Sequence, residues 1–84
     1  MNDLKNLKNF GPYMMHIMGL IGIDTVEDLM NADYLSIRDR LTREGIHPHL
    51  NIFYSIEMGL QDRIWSDITE KEKMEIKKML NEHK

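Results

Sequence analysis

Cysteine is absent from the 84-residue chain, which excludes a disulfide framework, thiolate metal sites and a cysteine nucleophile together. Its absence also suits a reducing compartment. Long apolar runs are missing too. The longest, Ile17 to Ile23, is interrupted by glycine and falls far short of the ~20 residues that cross a bilayer. The opening MNDLKNLKNFG has no uninterrupted apolar core of the kind a secretory leader carries. A soluble, cytoplasmic protein with no membrane partner is therefore expected. Sustained alternation of apolar and polar positions, the mark of a half-buried strand, is not found anywhere in the chain. The signatures GxSxG, P-loop, HExxH and GxGxxG are lacking. Ser36, Ser55 and Ser66 stand in no nucleophile-like context. Neither catalysis nor a cofactor is expected.

What is present describes one small soluble domain over residues 1–84. With 42% hydrophobic and 30% charged residues, the chain has enough apolar side chains for one core and too few residues for two. The net charge of −3 gives no global attraction to nucleic acid. The charge is unevenly spread, however. Asp24, Glu27, Asp28 and Asp33 follow one another without a basic partner, whereas Arg38, Arg40 and Arg43 outweigh Asp39 and Glu44 just afterwards. A local anion-binding surface would have to use Lys5, Lys8 and these arginines.

Helical periodicity runs through the chain. A short opening helix is expected from about Asp3 to Lys8, with Leu4 and Leu7 on one face, closed by Phe10 and Gly11. Pro12 suits the first turn of the next helix, about Pro12 to Leu20, because its missing N–H would have had no partner there. Tyr13, Met14, Ile17, Met18 and Ile21 form its apolar spacing, and Gly19 and Gly22 mark its end. Asp24 or Thr25 is the N-cap of a third helix, with Glu27 and Asp28 in the first turn, where the helix dipole favours negative charge. A fourth helix runs from about Asp33 to Glu44 and turns Ile37, Leu41 and either Tyr34 or Leu35 inward, leaving its arginines to solvent. Gly45 ends it. IHPHL is a turn, and the helix from Leu50 to about Gln61 carries apolar residues on more than one stripe, which marks it as the central helix. Gly59 there is read as the site of a close helix crossing. Ile64, Trp65 and Ile68 are read as an apolar patch over the bundle. Thr69 and Glu72 form a capping box that opens a last helix to about Asn81, in which Met74 or Lys73 shares a face with Ile76, Lys77 and Leu80. Lys77, Lys78 and Lys84 suit its C-terminus. The fold class is all-α: a compact bundle of five to six short helices.

Three features invite a functional reading. A glycine turn between helices is the shape of a helix-hairpin-helix unit, where a backbone without Cβ lets N–H groups approach a phosphate and a helix N-terminus adds positive charge. NFGPY fits this loosely through Gly11, Lys5 and Lys8, although Pro12 removes one donor. GIDT and EGIHP fit worse, since Asp24 and Glu44 would face the phosphate. Simple helix capping explains all three turns, and the acidic residues beside them, more economically. His47 and His49 are separated only by Pro48, and His16 and His83 lie elsewhere; no third ligand accompanies the pair, so no metal site is expected. The methionines, with Met14, Met15 and Met18 around His16, are read as flexible core filler or adaptable contact surface.

The order of these motifs resembles the C-terminal domain of the TfoX/Sxy competence regulators. The likeness rests on L-x-N-x-G-P at Leu7 to Pro12, G-I-x-T-x-x-D-L at Gly22 to Leu29, and N-x-x-Y-x-x-E-x-x-L at Asn51 to Leu60 followed by Trp65. It covers nearly the whole chain, which on this reading is expected to be a stand-alone domain. The resemblance implies an all-helical fold similar to helix-hairpin-helix and sterile-alpha-motif domains, and an association with transcriptional control of DNA uptake. It implies no catalytic residues. The matching positions, Asn9, Gly11, Gly22, Thr25, Asp28, Asn51 and Trp65, read as turns, caps and packing.

Two functions follow as expectations. One is a non-enzymatic module that contacts an unidentified protein of a transcription or DNA-handling complex, with a homodimer as a further option. The other is weak, sequence-independent DNA binding through Lys5, Lys8, Gly11, Arg38, Arg40 and Arg43.

Overall fold

The computed structural model describes residues 4–80. Five α-helices follow in order: α1 (Pro12–Leu20), α2 (Val26–Asn31), α3 (Tyr34–Arg43), α4 (Leu50–Leu60) and α5 (Glu70–Met79). Two 3-10 turns, Leu4–Asn6 and Trp65–Asp67, complete the fold, and the described residues contain no strand. The expected opening helix is thus a single 3-10 turn. Asp3, Asn81, His83 and Lys84, which figure in the sequence reading, lie outside the described residues.

Side-chain caps start three of the helices. Thr25 accepts from the Asp28 N–H while the Asp28 carboxylate accepts from the Thr25 N–H, and Thr69 and Glu72 repeat the arrangement on α5. Asp33 accepts from the Ser36 N–H at 2.7 Å. Each bond satisfies an N–H that has no partner inside its helix, worth about 1 kcal/mol per cap. At the other ends, α1, α3 and α4 close in one way. After α1, Ile23 N–H reaches Met18 O and Gly22 N–H reaches Gly19 O. After α3, Ile46 and Gly45 do the same to Leu41 and Thr42, and after α4, Arg63 and Asp62 to Met58 and Gly59. This closure needs one residue at positive φ, supplied by Gly22 (81°), Gly45 (75°) and Asp62 (58°). Gly19 lies inside α1 and takes no part through its conformation.

The elements share one apolar core, in which Leu4, Phe10, Ile17, Met18, Ile37, Leu41, Phe53, Ile56, Ile76 and Leu80 are buried. No polar or charged side chain is buried among the described residues. Helix α4 is central: Ile52, Phe53, Tyr54, Ile56, Met58 and Gly59 are all buried along it, and it packs against the Trp65–Asp67 turn and α5. The radius of gyration, 12.1 Å, matches the ~12 Å of a compact chain of this length.

Several side chains depart from the sequence reading. Ile64 and Trp65 are each 51% exposed; only Ile68 of that trio packs against the core. Tyr13 also faces solvent. On α5 the inward face runs through Lys73, Ile76, Lys77 and Leu80, with Met74 outside. Gly59 does permit a close approach, but to the Lys8–Phe10 segment rather than to a helix. A Cβ there would lie 2.7 Å from Lys8 O and 3.2 Å from the Phe10 ring.

Candidate functional site

The cations proposed for DNA do not form a free surface. Arg38 and Arg40 are half-buried, contrary to the expectation that the α3 arginines all face solvent. Arg38 Nη1 donates to Leu80 O at 2.6 Å, at the end of α5. Arg40 Nη1 donates to Ile21 O at 3.2 Å, in the turn after α1. The reason lies in helix ends, whose last carbonyls have no partner within the helix. A long cationic side chain on a neighbouring helix meets them well. Arg43 is exposed. Lys8 pairs with Asp62 at 3.7 Å, both groups being well exposed, and Lys5 is exposed. Arg38, Arg40 and Lys8 are therefore tied at separate places, the end of α5, the turn after α1 and the end of α4, while Lys5 and Arg43 are exposed.

Gly11 is the N-cap of α1 and makes no side-chain cap bond. Its φ is −80° and a Cβ would meet nothing within 4 Å, so neither conformation nor space requires glycine there. The positive φ in this turn belongs to Asn9, at 72°. Asn9 Nδ2 donates to Arg63 O at 3.0 Å and to Ser55 O at 3.4 Å, while Oδ1 accepts from Trp65 N–H at 2.9 Å. Two carbonyls and one N–H admit only this orientation of the amide. One side chain thus ties the first turn to the end of α4 and to the segment that carries Trp65. The backbone N–H of Trp65, not its indole, makes that tie.

Beside it, Arg63 meets Glu72 with both guanidinium nitrogens, at 2.8 and 3.3 Å, and reaches Asp67 O at 2.7 Å. This pairing, with the Thr69 N–H, holds the Glu72 carboxyl well below the carboxylate range, at about 2; Arg63 is shifted up in return. Asp28 is lowered as well, chiefly by the Asp24 N–H and also by Thr25. Gly22 stands at the closure of α1. Asn51 is exposed on the first turn of α4; the N-cap is His49, so Asn51 is not the cap. Arg63 escapes a sequence reading, because a single cation in an irregular segment has no periodicity to mark its partner.

A groove of about 340 Å³ opens between the end of α2, the start of α3, and the last turns of α4 and α5. Leu29, Met30, Ala32, Leu60 and Met79 give it an apolar lining. Met30 is 69% exposed and Met79 48%, so these two methionines lie at the surface rather than filling the core. In the floor, the Tyr34 hydroxyl donates to Glu57 Oε1 at 2.7 Å, and Gln61 Nε2 donates to Oε2 at 2.8 Å. Burial, and then this bond, raise the Tyr34 pKa, so the phenol stays a neutral donor. A second hollow of about 400 Å³, lined by Val26, Glu27, Met30 and Asn31, meets the first at Met30.

Among the described residues there is no grouping of three or more histidine, aspartate or glutamate side chains suited to a metal ion. His47 and His49 stand edge to face, with ring centres 4.3 Å apart. No described helix is long and apolar enough to cross a membrane.

The family model for the TfoX C-terminal domain matches residues 1–80. No curated protein and no solved structure matches the chain.

Proposed function

The chain belongs to the TfoX C-terminal domain family, and on that premise we propose that it is a non-enzymatic interaction module making protein contacts in a transcription or DNA-handling complex. One observation carries the choice of protein over DNA. Two of the three arginines on the basic helix are spent inside the molecule, on Leu80 O and Ile21 O, while large apolar side chains stand exposed around a groove. A DNA surface requires the reverse, free cations that displace counterions from phosphates. An acidic residue also stands beside the turn that would serve as the cradle, Asp62 pairing with Lys8 at 3.7 Å.

Direct DNA binding is the competing reading. Exposed Lys5 and Arg43, and the absence of a side-chain cap on α1, speak for it. Fluorescence anisotropy of a labelled duplex, titrated at low and near-physiological salt, separates the two. The protein-contact reading expects weak binding or none, unchanged when Lys8 and Arg43 are both replaced by Glu. Tight binding at low salt that fades with a slope of about −0.9 per phosphate contacted, and is lost in the double variant, would overturn it.

A further inference from the structure

We propose that the groove at Met30 and Met79 receives a short amphipathic helix of a partner protein, with basic residues flanking one or two large apolar anchors. The inference rests on the protein-contact reading and gives that contact a place and a chemistry.

Size comes first. A hollow of about 340 Å³ lies at the lower end of the ~300–1,000 Å³ range of ligand sites, so it suits one or two side chains rather than a cofactor. The walls are apolar and adaptable, since a methionine on either side can re-form around a leucine or phenylalanine. Partner helices dock into such grooves through apolar anchors on one face, whereas an added strand needs a free sheet edge. The described residues contain no strand to offer one.

Charge then selects the partner. The charged residues lining the groove and the adjoining hollow are Asp33, Glu57 and Glu27, and no cation is among them. None of the three takes part in an ion pair among the described residues. Glu57 is held by two neutral donors, Tyr34 and Gln61, which fix its position and leave its charge in place. A basic segment is complementary to this border, and an acidic one is repelled. The same border disfavours a second copy of the chain. A two-fold contact places a patch against itself, which would set these carboxylates against their own copies.

The test uses a fluorescein-labelled amphipathic peptide of leucine and lysine, about 14 residues or four helical turns long, and a leucine–glutamate peptide with the same leucine spacing. Anisotropy titrations compare the unaltered chain with Met30→Lys, Met79→Lys and Met74→Lys. Each variant adds one positive charge at an exposed methionine, but Met74 lies away from the groove. The leucine–lysine peptide is expected to bind the unaltered chain and Met74→Lys alike. Binding to Met30→Lys and to Met79→Lys is expected to be weaker by about tenfold or more, as is binding of the leucine–glutamate peptide throughout. Should one groove variant fail to fold by circular dichroism, the other carries the comparison. Equal weakening in all three variants, equal affinity for the two peptides, or no binding of the leucine–lysine peptide overturns the proposal. Any of those results leaves the protein-contact reading intact, because that reading falls on the duplex titration instead.

Discussion

Asn9 shows how much one side chain contributes in a domain this small. It adopts the left-handed conformation, and its amide satisfies two carbonyls and an N–H far along the chain. Asn9→Ala removes all three bonds and places a Cβ-bearing residue without a local hydrogen bond at positive φ. Taking about 1 kcal/mol for each good bond and about 1 kcal/mol for the conformation, a loss of about 2–4 kcal/mol is expected. Asn9→Gly restores the conformation but not the bonds, so it should fall between the two. Urea unfolding with unchanged slope checks the order. Glu72 makes a separate prediction. Its folded pKa, about 2, lies below the ordinary carboxylate value. The stability this lends is therefore complete above about pH 4.5 and is lost as pH falls toward 2. Melting temperature should decline through that window, and Glu72→Gln should flatten part of the decline while lowering stability at neutral pH. An equal decline in both proteins would remove Glu72 from the account.

Within the helices, two glycines should respond to alanine in opposite directions. Gly19 sits inside α1 at ordinary helical conformation, and a Cβ would meet nothing within 4 Å. Gly19→Ala is expected to stabilise the protein by about 0.5–1 kcal/mol, because it removes freedom from the unfolded chain. Gly59 is buried on α4, and its Cβ would lie 2.7 Å from the backbone oxygen of Lys8. Backbone must move there, so Gly59→Ala should cost about 1–3 kcal/mol. Thermal melts of the two variants measure both signs. From sequence, Gly19 reads as marking a helix end and Gly59 as a close helix crossing. The fold instead sets Gly19 within α1 and brings the Lys8–Phe10 segment, not a helix, against Gly59.

For the whole molecule, the use of its cations decides between the functional readings. A chain of net charge −3 that spends Arg38 and Arg40 on helix-end carbonyls has redirected its basic helix from solvent to the bundle. Arg38→Ala and Arg40→Ala are each expected to cost about 1 kcal/mol, below the range of a charged hydrogen bond because both groups are only half-buried. Arg43→Ala should change stability little, as expected of an exposed side chain. Chemical denaturation of the three variants reads the difference. Equal, negligible effects would return Arg38 and Arg40 to the surface as free cations. The methionines, read from sequence as core filler or adaptable contact surface, divide between the two places: Met30 and Met79 border the groove, while Met14, Met18 and Met58 are buried.

The five α-helices, the Thr69–Glu72 capping box, an α2 cap at Asp24 or Thr25 and the central place of α4 were legible in the sequence alone. Periodicity, a Thr-x-x-Glu capping box and glycine stops act over one to four residues, and those relations are legible along a chain. The order of motifs was also enough to identify the family. What depended on tertiary structure was the use of individual side chains across long separations. Asn9 bonds to Trp65, Arg38 to Leu80, and Lys8 approaches Gly59. A groove between the ends of four helices likewise has no counterpart in any single segment. Such contacts depend on how the helices cross, which the spacing of apolar residues within each helix does not specify.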